Sequence, residues 1–392
     1  MKRWAGRAVS AAAVAILFLT TGCSGFFVYP GSVSSSTTGS STGTEFVYVI
    51  NQTVGQNAGT LAGYSIGSST LTAVTGSPQN ITTFAPAAVA VNRANTMVFV
   101  AGGNLINTYA IGSGGALSLL ASNTLTADEV AIDISPDGQW LLGLEATTLT
   151  FPNEARIDEF QINASGQLSL VSANPVAFYL PVGGEGTISP SAIKFAPANA
   201  SGQLVFVALG TAGDLVYTFT TSSGALSAQP SQTFTLSAAS QSADLALAVS
   251  PNGSAVYFAR SSGTAGSVAA YTITGTTVAA VGGNSASAGD RPSAVVVDTA
   301  SANVYVANQL SNNIFGFSGA SSGNLALLSS SPYNVSDPTA LAVDHSGDYL
   351  LAVSGTTSGN NLNMYSYDSS GNLVSSTSLN TGSLAVGLAT TY

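Results

Sequence analysis

A short alternating strand recurs seven times along this chain, and no other feature limits the fold as tightly. TALAVD from Thr339 aligns with AAVAVN from Ala87, VAIDIS from Val130, SAIKFA from Ser191, LALAVS from Leu245, SAVVVD from Ser293 and LAVGLA from Leu384. The last apolar residues fall at Val91, Ile134, Phe195, Val249, Val297, Val343 and Leu388, with intervals of 43, 61, 54, 48, 46 and 45 residues. A repeat of that length is one supersecondary unit, and the spacing suits four-stranded propeller blades with loop insertions. Three residues before each of those positions the side chain is alanine: Ala88, Ala131, Ala192, Ala246, Ala294, Ala340 and Ala385. A methyl at one fixed place predicts crowding, as where innermost strands converge on an axis.

The rest of each repeat completes a blade. Near-continuous apolar runs follow, FVYVI at Phe46, MVFVA at Met97, WLLGL at Trp140, LVFVA at Leu204, AVYFA at Ala255, NVYVA at Asn303 and YLLAV at Tyr349. They predict second strands buried on both faces. Third strands carry an aliphatic residue and then an aromatic, as in Ile106/Tyr109, Ile157/Phe160 and Ile314/Phe317. SGQL, SGAL and SGNL turns, where glycine permits the positive φ of a tight hairpin, lead into fourth strands. The chain's first strand, EFVYVI, is of the second type, whereas its last, in SLAVGLATTY, is of the first type. The ends therefore complete one blade together and abolish sheet edges. An open solenoid or a pair of sandwiches explains neither half-blade. The reading is all-β: a seven-bladed β-propeller over 45–392, its blades four-stranded and antiparallel, closed by the C-terminal strand.

His345 is the single histidine. It falls in a turn equivalent to SPDGQ at Ser135 and SPNGS at Ser250, where Pro136 and Pro251 stand in its place. A residue replaced by proline in its own repeats is expected to shape a hairpin, not to catalyse.

At this point the sequence resembles a known family. FVYVIN at Phe46, VYVANQLSNNIFGFS at Val304, the SPDG turns and SGxL followed by GSP or SSP are similar to lactonase-type, 6-phosphogluconolactonase-like seven-bladed propellers and the related YVTN surface repeats. The resemblance implies chemistry on sugar-acid lactones or carboxymuconate, with His, Arg and Glu side chains around the axial mouth. A cation or donor would polarise the carbonyl and a base would activate water. With His345 in a turn at the opposite end, no family histidine carries over.

Loops entering the first strands and joining second to third strands share one end, the loop face. They hold Glu145, Glu154, Arg156, Glu185, Arg260, Asp290, Arg291 and Asp337. Glu185 as base with Arg260 and Arg291 forms the catalytic candidate, and Glu145, Glu154, Arg156, Asp290 and Asp337 are candidate ligand contacts. Mutual pairing of surface charges is the plainer alternative. Loop elaboration is concentrated in blade 3 and its link to blade 4, in LEATTLTFPNEARIDEF and YLPVGGEGTISPS, and such loops on a rigid scaffold carry function. Asp133 and Lys194 occupy equivalent inner-strand positions, where other copies have Ala90, Ala248, Val296, Ala342 and Gly387. They are expected to pair, since either charge alone would be costly to bury.

The N-terminus gives an address. Lys2, Arg3 and Arg7 precede the apolar run AAAVAILFL and LTTGCS, the pattern of an export signal over 1–22. LTTGCS resembles a lipoprotein signal, making Cys23 the expected lipidation site, although Thr20 stands where that pattern has an aliphatic residue. SVSSSTTGSSTG within 23–44 reads as a tether. Cys23 is the sole cysteine, so an internal disulfide is impossible. Without its leader the chain keeps five basic against eighteen acidic residues, a net charge of −13, which disfavours nucleic acid. No nucleotide loop, metal or cofactor motif is present, and none is expected to be needed. The expectation is a monomeric lipoprotein of the cell envelope, at the outer membrane or cell surface, binding a protein or carbohydrate. A lactone hydrolase is the alternative.

Overall fold

The computed structural model describes residues 44–146, 154–171, 176–179, 188–199, 202–228 and 242–392. The expected leader, Cys23 and tether up to residue 43 lie outside them. Seven antiparallel sheets form a closed ring, and no α-helix occurs among the described residues. Blade 3 is representative: Glu129–Ile134 lies innermost, followed outward by Trp140–Glu145, Glu154–Ile162 and Leu168–Leu170. Blade 1 takes its innermost strand from the end of the chain. Ala385–Thr390 pairs with Glu45–Gln52, with Leu388 opposite Val49. The complementary half-blades thus close the ring as expected.

The core lies between blades, each second strand being covered by both neighbours. Ala246 and Tyr257 of blade 5 share one cluster with Val295 and Val306 of blade 6, and Ala294 and Tyr305 share the next with Leu341 of blade 7. All seven inner-strand alanines are buried. A larger side chain at that ring would have to displace its neighbours in a close-packed interior.

Side chains also fasten each blade to the next. Tyr48 donates its hydroxyl to the Gly115 carbonyl at 3.0 Å, Tyr257 to that of Ala320, and Tyr305 to that of Gly371 at 2.5 Å. Trp140 donates Nε1–H to Thr221 at 2.8 Å, and Thr108 its hydroxyl to Gly166 at 2.8 Å. Every acceptor lies in the hairpin between third and fourth strands of the following blade. The aromatic in VYV-type runs therefore has a polar task that burial alone does not reveal. Nearer the axis, Ser191, Ser293 and Thr339 donate hydroxyls to Asp244, Pro338 and Ala385 carbonyls of the next inner strand, at 3.0, 2.6 and 2.7 Å.

Outermost strands are interrupted in blades 1, 3 and 6. In blades 1 and 6 the break carries the GSP and SSP segments, each with a cis Ser–Pro bond. There Ser77 and Ser331 hydroxyls accept the Gly63 and Gly316 N–H groups at 2.8 and 3.0 Å, replacing lost ladder bonds.

Candidate functional site

The loop face begins where innermost strands begin. In blades 3, 5, 6 and 7 the pairing shifts by one residue there, between Glu129 and Ala131, Asp244 and Ala246, Pro292 and Ala294, and Pro338 and Ala340. A bulge at a sheet end re-aims the residue before it. That residue is proline in four repeats, Pro86, Pro190, Pro292 and Pro338, and serine at Ser383, but an acid in two, Glu129 and Asp244.

In blade 5 the acid meets a cation. Arg260, opposite Asp244 in register, donates Nε–H to Asp244 Oδ1 at 2.6 Å and an Nη2 hydrogen to Oδ2 at 3.3 Å. It also reaches the Tyr271 hydroxyl at 3.2 Å, and Asp214 Oδ2 lies 3.9 Å away. Both carboxylates are fully buried. Burial pushes the Asp244 carboxyl up against the opposing pull of Arg260. The guanidinium is held well above its ordinary value, the hydrogen bond and charge of Asp244 outweighing burial.

Blade 3 has the acid without the arginine. Glu145 occupies the position of Arg260, opposite Glu129, and all of Glu129, Glu145 and Asp158 are buried. Gly143 stands where other second strands have Val100, Val207, Phe258, Val306 or Ala352. A Cβ there would come within 2.5 Å of the Glu129 carboxyl carbon, so the glycine makes room for the acid. Both Glu129 oxygens and Asp158 Oδ1 lack hydrogen-bond partners. Burial, then the charges of Asp158, Glu145 and Asp128, push the Glu129 carboxyl well up. Burial also raises Asp158, opposed by Arg156. Next along the strand, burial lifts Glu159 to about 7, resisted by the Leu226 N–H.

The remaining sequence candidates are dispersed. Arg156 is half-buried in the third strand of blade 3. Glu154 opens that strand, its backbone opposite Tyr179; its side chain and the whole of Glu185 lie outside the described residues. Arg291 is exposed and Asp337 half-buried, at left-handed φ of 48° and 45°, each just before the first proline of an inner strand. Their backbones turn corners: the Arg291 carbonyl accepts Gln309 N–H at 2.9 Å, and Asp337 N–H donates to Asn312 Oδ1 at 2.7 Å. Asp290 donates its N–H to Ser311 at 2.6 Å and keeps a buried, unpartnered Oδ1.

The opposite face has its own mouth. Lys194 Nζ lies 3.4 Å from Asp133 Oδ1, as the sequence led us to expect, and Phe195 N–H donates to Asp133 Oδ2 at 2.7 Å. The pair lines a small axial pocket of about 30 Å³ with Arg93, Pro136 and Tyr392. Arg93 lies over the Tyr392 ring, 5.7 Å from its centre, a neighbour that the sequence did not reveal. His345 sits in a turn of blade 7, its N–H donating to Glu45 at 3.1 Å. No acidic, histidine or cysteine group suited to a metal occurs among the described residues.

The family model for the lactonase, 7-bladed beta-propeller, matches residues 106–383. The chain belongs to this family. Solved structures with the same fold include a candidate 6-phosphogluconolactonase from Bacteroides uniformis, 16% identical with a TM-score of 0.70, covering 88% of this chain and 99% of that one. The Pseudomonas aeruginosa periplasmic gluconolactonase is 17% identical with a TM-score of 0.70, over 89% and 99%. A Bacteroides fragilis counterpart is 14% identical with a TM-score of 0.69, over 91% and 100%. No curated protein matches. As a lactonase-family propeller, the chain shares its ring with these proteins, while Arg260 is engaged inside its own fold.

Proposed function

We propose that this lactonase-family propeller is an exported, lipid-anchored binding module, holding a protein or carbohydrate at its loop face without hydrolysing it. One observation carries the reading: Arg260, one of the two arginines that the sequence offered for polarising a lactone carbonyl, already donates twice to Asp244. A guanidinium neutralised by buried carboxylates has little charge left for a developing oxyanion. His345, at the opposite face, supplies no base there. The leader, Cys23 and the serine- and threonine-rich tether support anchoring in the envelope.

The test is base consumption by the purified protein with gluconolactone, its 6-phosphate and simple lactones. The expected result is hydrolysis at the buffer rate. Turnover that disappears in Glu185→Ala and Arg291→Ala variants would overturn the reading.

Family membership favours a second reading, lactone hydrolysis. In it, Glu185 is the base and the exposed Arg291 binds an anionic substrate. The same assay separates the two.

A further inference from the structure

Between the outermost strand of blade 2, Leu117–Thr124, and the third and fourth strands of blade 3 lies a groove of about 270 Å³. Its walls include Asn123, Leu125, Phe160, Leu168 and Leu170, and Asp158 is its one charged lining residue. Leu170 is 46% exposed at the groove, and Leu119 and Leu120 on the blade 2 strand are 56% and 44% exposed.

The carboxylate is particular to this blade. Asp158 lies opposite Gly143, and the corresponding third-strand positions are Asn107, Leu215, Ala269, Phe315 and Asn363. Its Oδ1 is buried without a partner, and the Glu129 carboxylate over Gly143 adds two more such oxygens. Unpaired buried carboxylate oxygens are costly, so a compensating group is called for. Arg156 acts on Asp158 from two residues along the strand, but it is not among the charges acting on Glu129.

Blade 5 shows what this fold places against the same acid. There Asp244 takes two hydrogen bonds from a guanidinium at the position where blade 3 has Glu145. In blade 3 the groove reaches the neighbouring carboxylate, and its walls offer apolar surface at Leu125, Phe160, Leu168 and Leu170 beside the amides of Asn123 and Gln167.

We propose that this groove binds an alkylguanidinium, its charged head against Asp158 beside Glu129 and its chain along Phe160, Leu168 and Leu170. The net charge of −13 would favour approach of such a cation. The groove is distinct from Arg260 and Arg291, so the inference stands whether or not the ring hydrolyses lactones. Two sources present this chemistry, a free small molecule and an arginine side chain of a partner.

The experiment is calorimetric titration of the purified protein with n-butylguanidinium, with the amide of N-acetyl-Leu-Arg-Leu, and with n-butylurea, a neutral isostere of the first. Saturable binding of a guanidinium probe is expected, at least tenfold tighter than the urea and weakened at least tenfold by Asp158→Asn. Tighter binding of butylguanidinium would assign the groove to a small molecule, and tighter binding of the peptide to a partner's arginine. Equal binding of the urea, no saturable binding of either guanidinium probe, or undiminished binding by Asp158→Asn would overturn the proposal. The urea comparison uses the unaltered protein, so it decides the matter even if the variant folds poorly.

Discussion

Replacing Lys194 with methionine should lower the melting temperature by roughly 4–7 °C at neutral pH. The ammonium lies 3.4 Å from Asp133, and both side chains are almost completely buried. Methionine keeps the length and packing of the stem but leaves the carboxylate with the Phe195 N–H at 2.7 Å and no cation. Breaking a buried pair from one side costs about 3–5 kcal/mol. At about 2.1 cal/mol/K of unfolding entropy per residue, a ring of about 350 residues has roughly 0.7 kcal/mol/K, which converts that cost into the stated shift. Burial already raises Asp133 above 3.8, against the pull of Lys194, and removing Lys194 raises it further. The folded variant then retains a proton that its unfolded chain releases, so stability falls as pH rises from the unfolded value through the folded one. The deficit against the unaltered protein should therefore grow as pH rises above the ordinary carboxylate value of 3.8. Asp133→Ala combined with Lys194→Val copies the apolar residues of other blades, such as Ala90 and Val296, and should recover most of the loss. Differential scanning calorimetry across pH measures all of this. A shift within about 1 °C for the single variant, or a double variant no more stable than the single, would refute the reasoning.

Arg260→Met takes the cation from buried Asp244 and should cost about 3–5 kcal/mol, read as a lower denaturant midpoint, with Arg260→Lys intermediate. Burial lifts Glu159 from its ordinary 4.5 to about 7 in the folded protein, so the folded state holds its proton through that interval and loses stability as pH rises. Glu159→Gln should therefore gain in melting temperature over the unaltered protein between about pH 4.5 and 7 and hold a constant lead above; a pH-independent difference would contradict this. Tyr305→Phe leaves the Gly371 carbonyl without the hydroxyl at 2.5 Å and should cost about 1–3 kcal/mol, measured by chemical denaturation.

The ring was readable because each blade obeys the same sterics at the axis: an alanine at one position and aliphatic residues alternating around it. Side-chain partners were harder to read because they lie in the next blade, as Tyr48 and Gly115 do, 67 positions apart. Asp133 and Lys194 were legible as a pair because two opposite charges interrupt one small-residue position in neighbouring blades. Glu129 and Asp244 were missed because the aligned stretches begin one residue later, at Val130 and Leu245. Extending the alignment by one residue would have set two acids against four prolines. That omission also left Arg260 looking available to a ligand, whereas its partner lies beside it on the adjacent strand. Hydrophobic periodicity carries no information about how long loops converge.

Ring closure imposes an order on manufacture. Of the described strands Glu45–Gln52 is synthesised first, yet its inner neighbour, Ala385–Thr390, is the last of them to be made, and the Asn51 to Thr381 hydrogen bond spans 330 positions. Until Ala385–Thr390 has been made, one edge of blade 1 has no mate, and a nascent chain carries an open template for strand addition. Ala385–Thr390 thus acts as a completion signal: a chain stopped before Ala385 would keep almost all its blades and still be prone to borrow a strand from another copy.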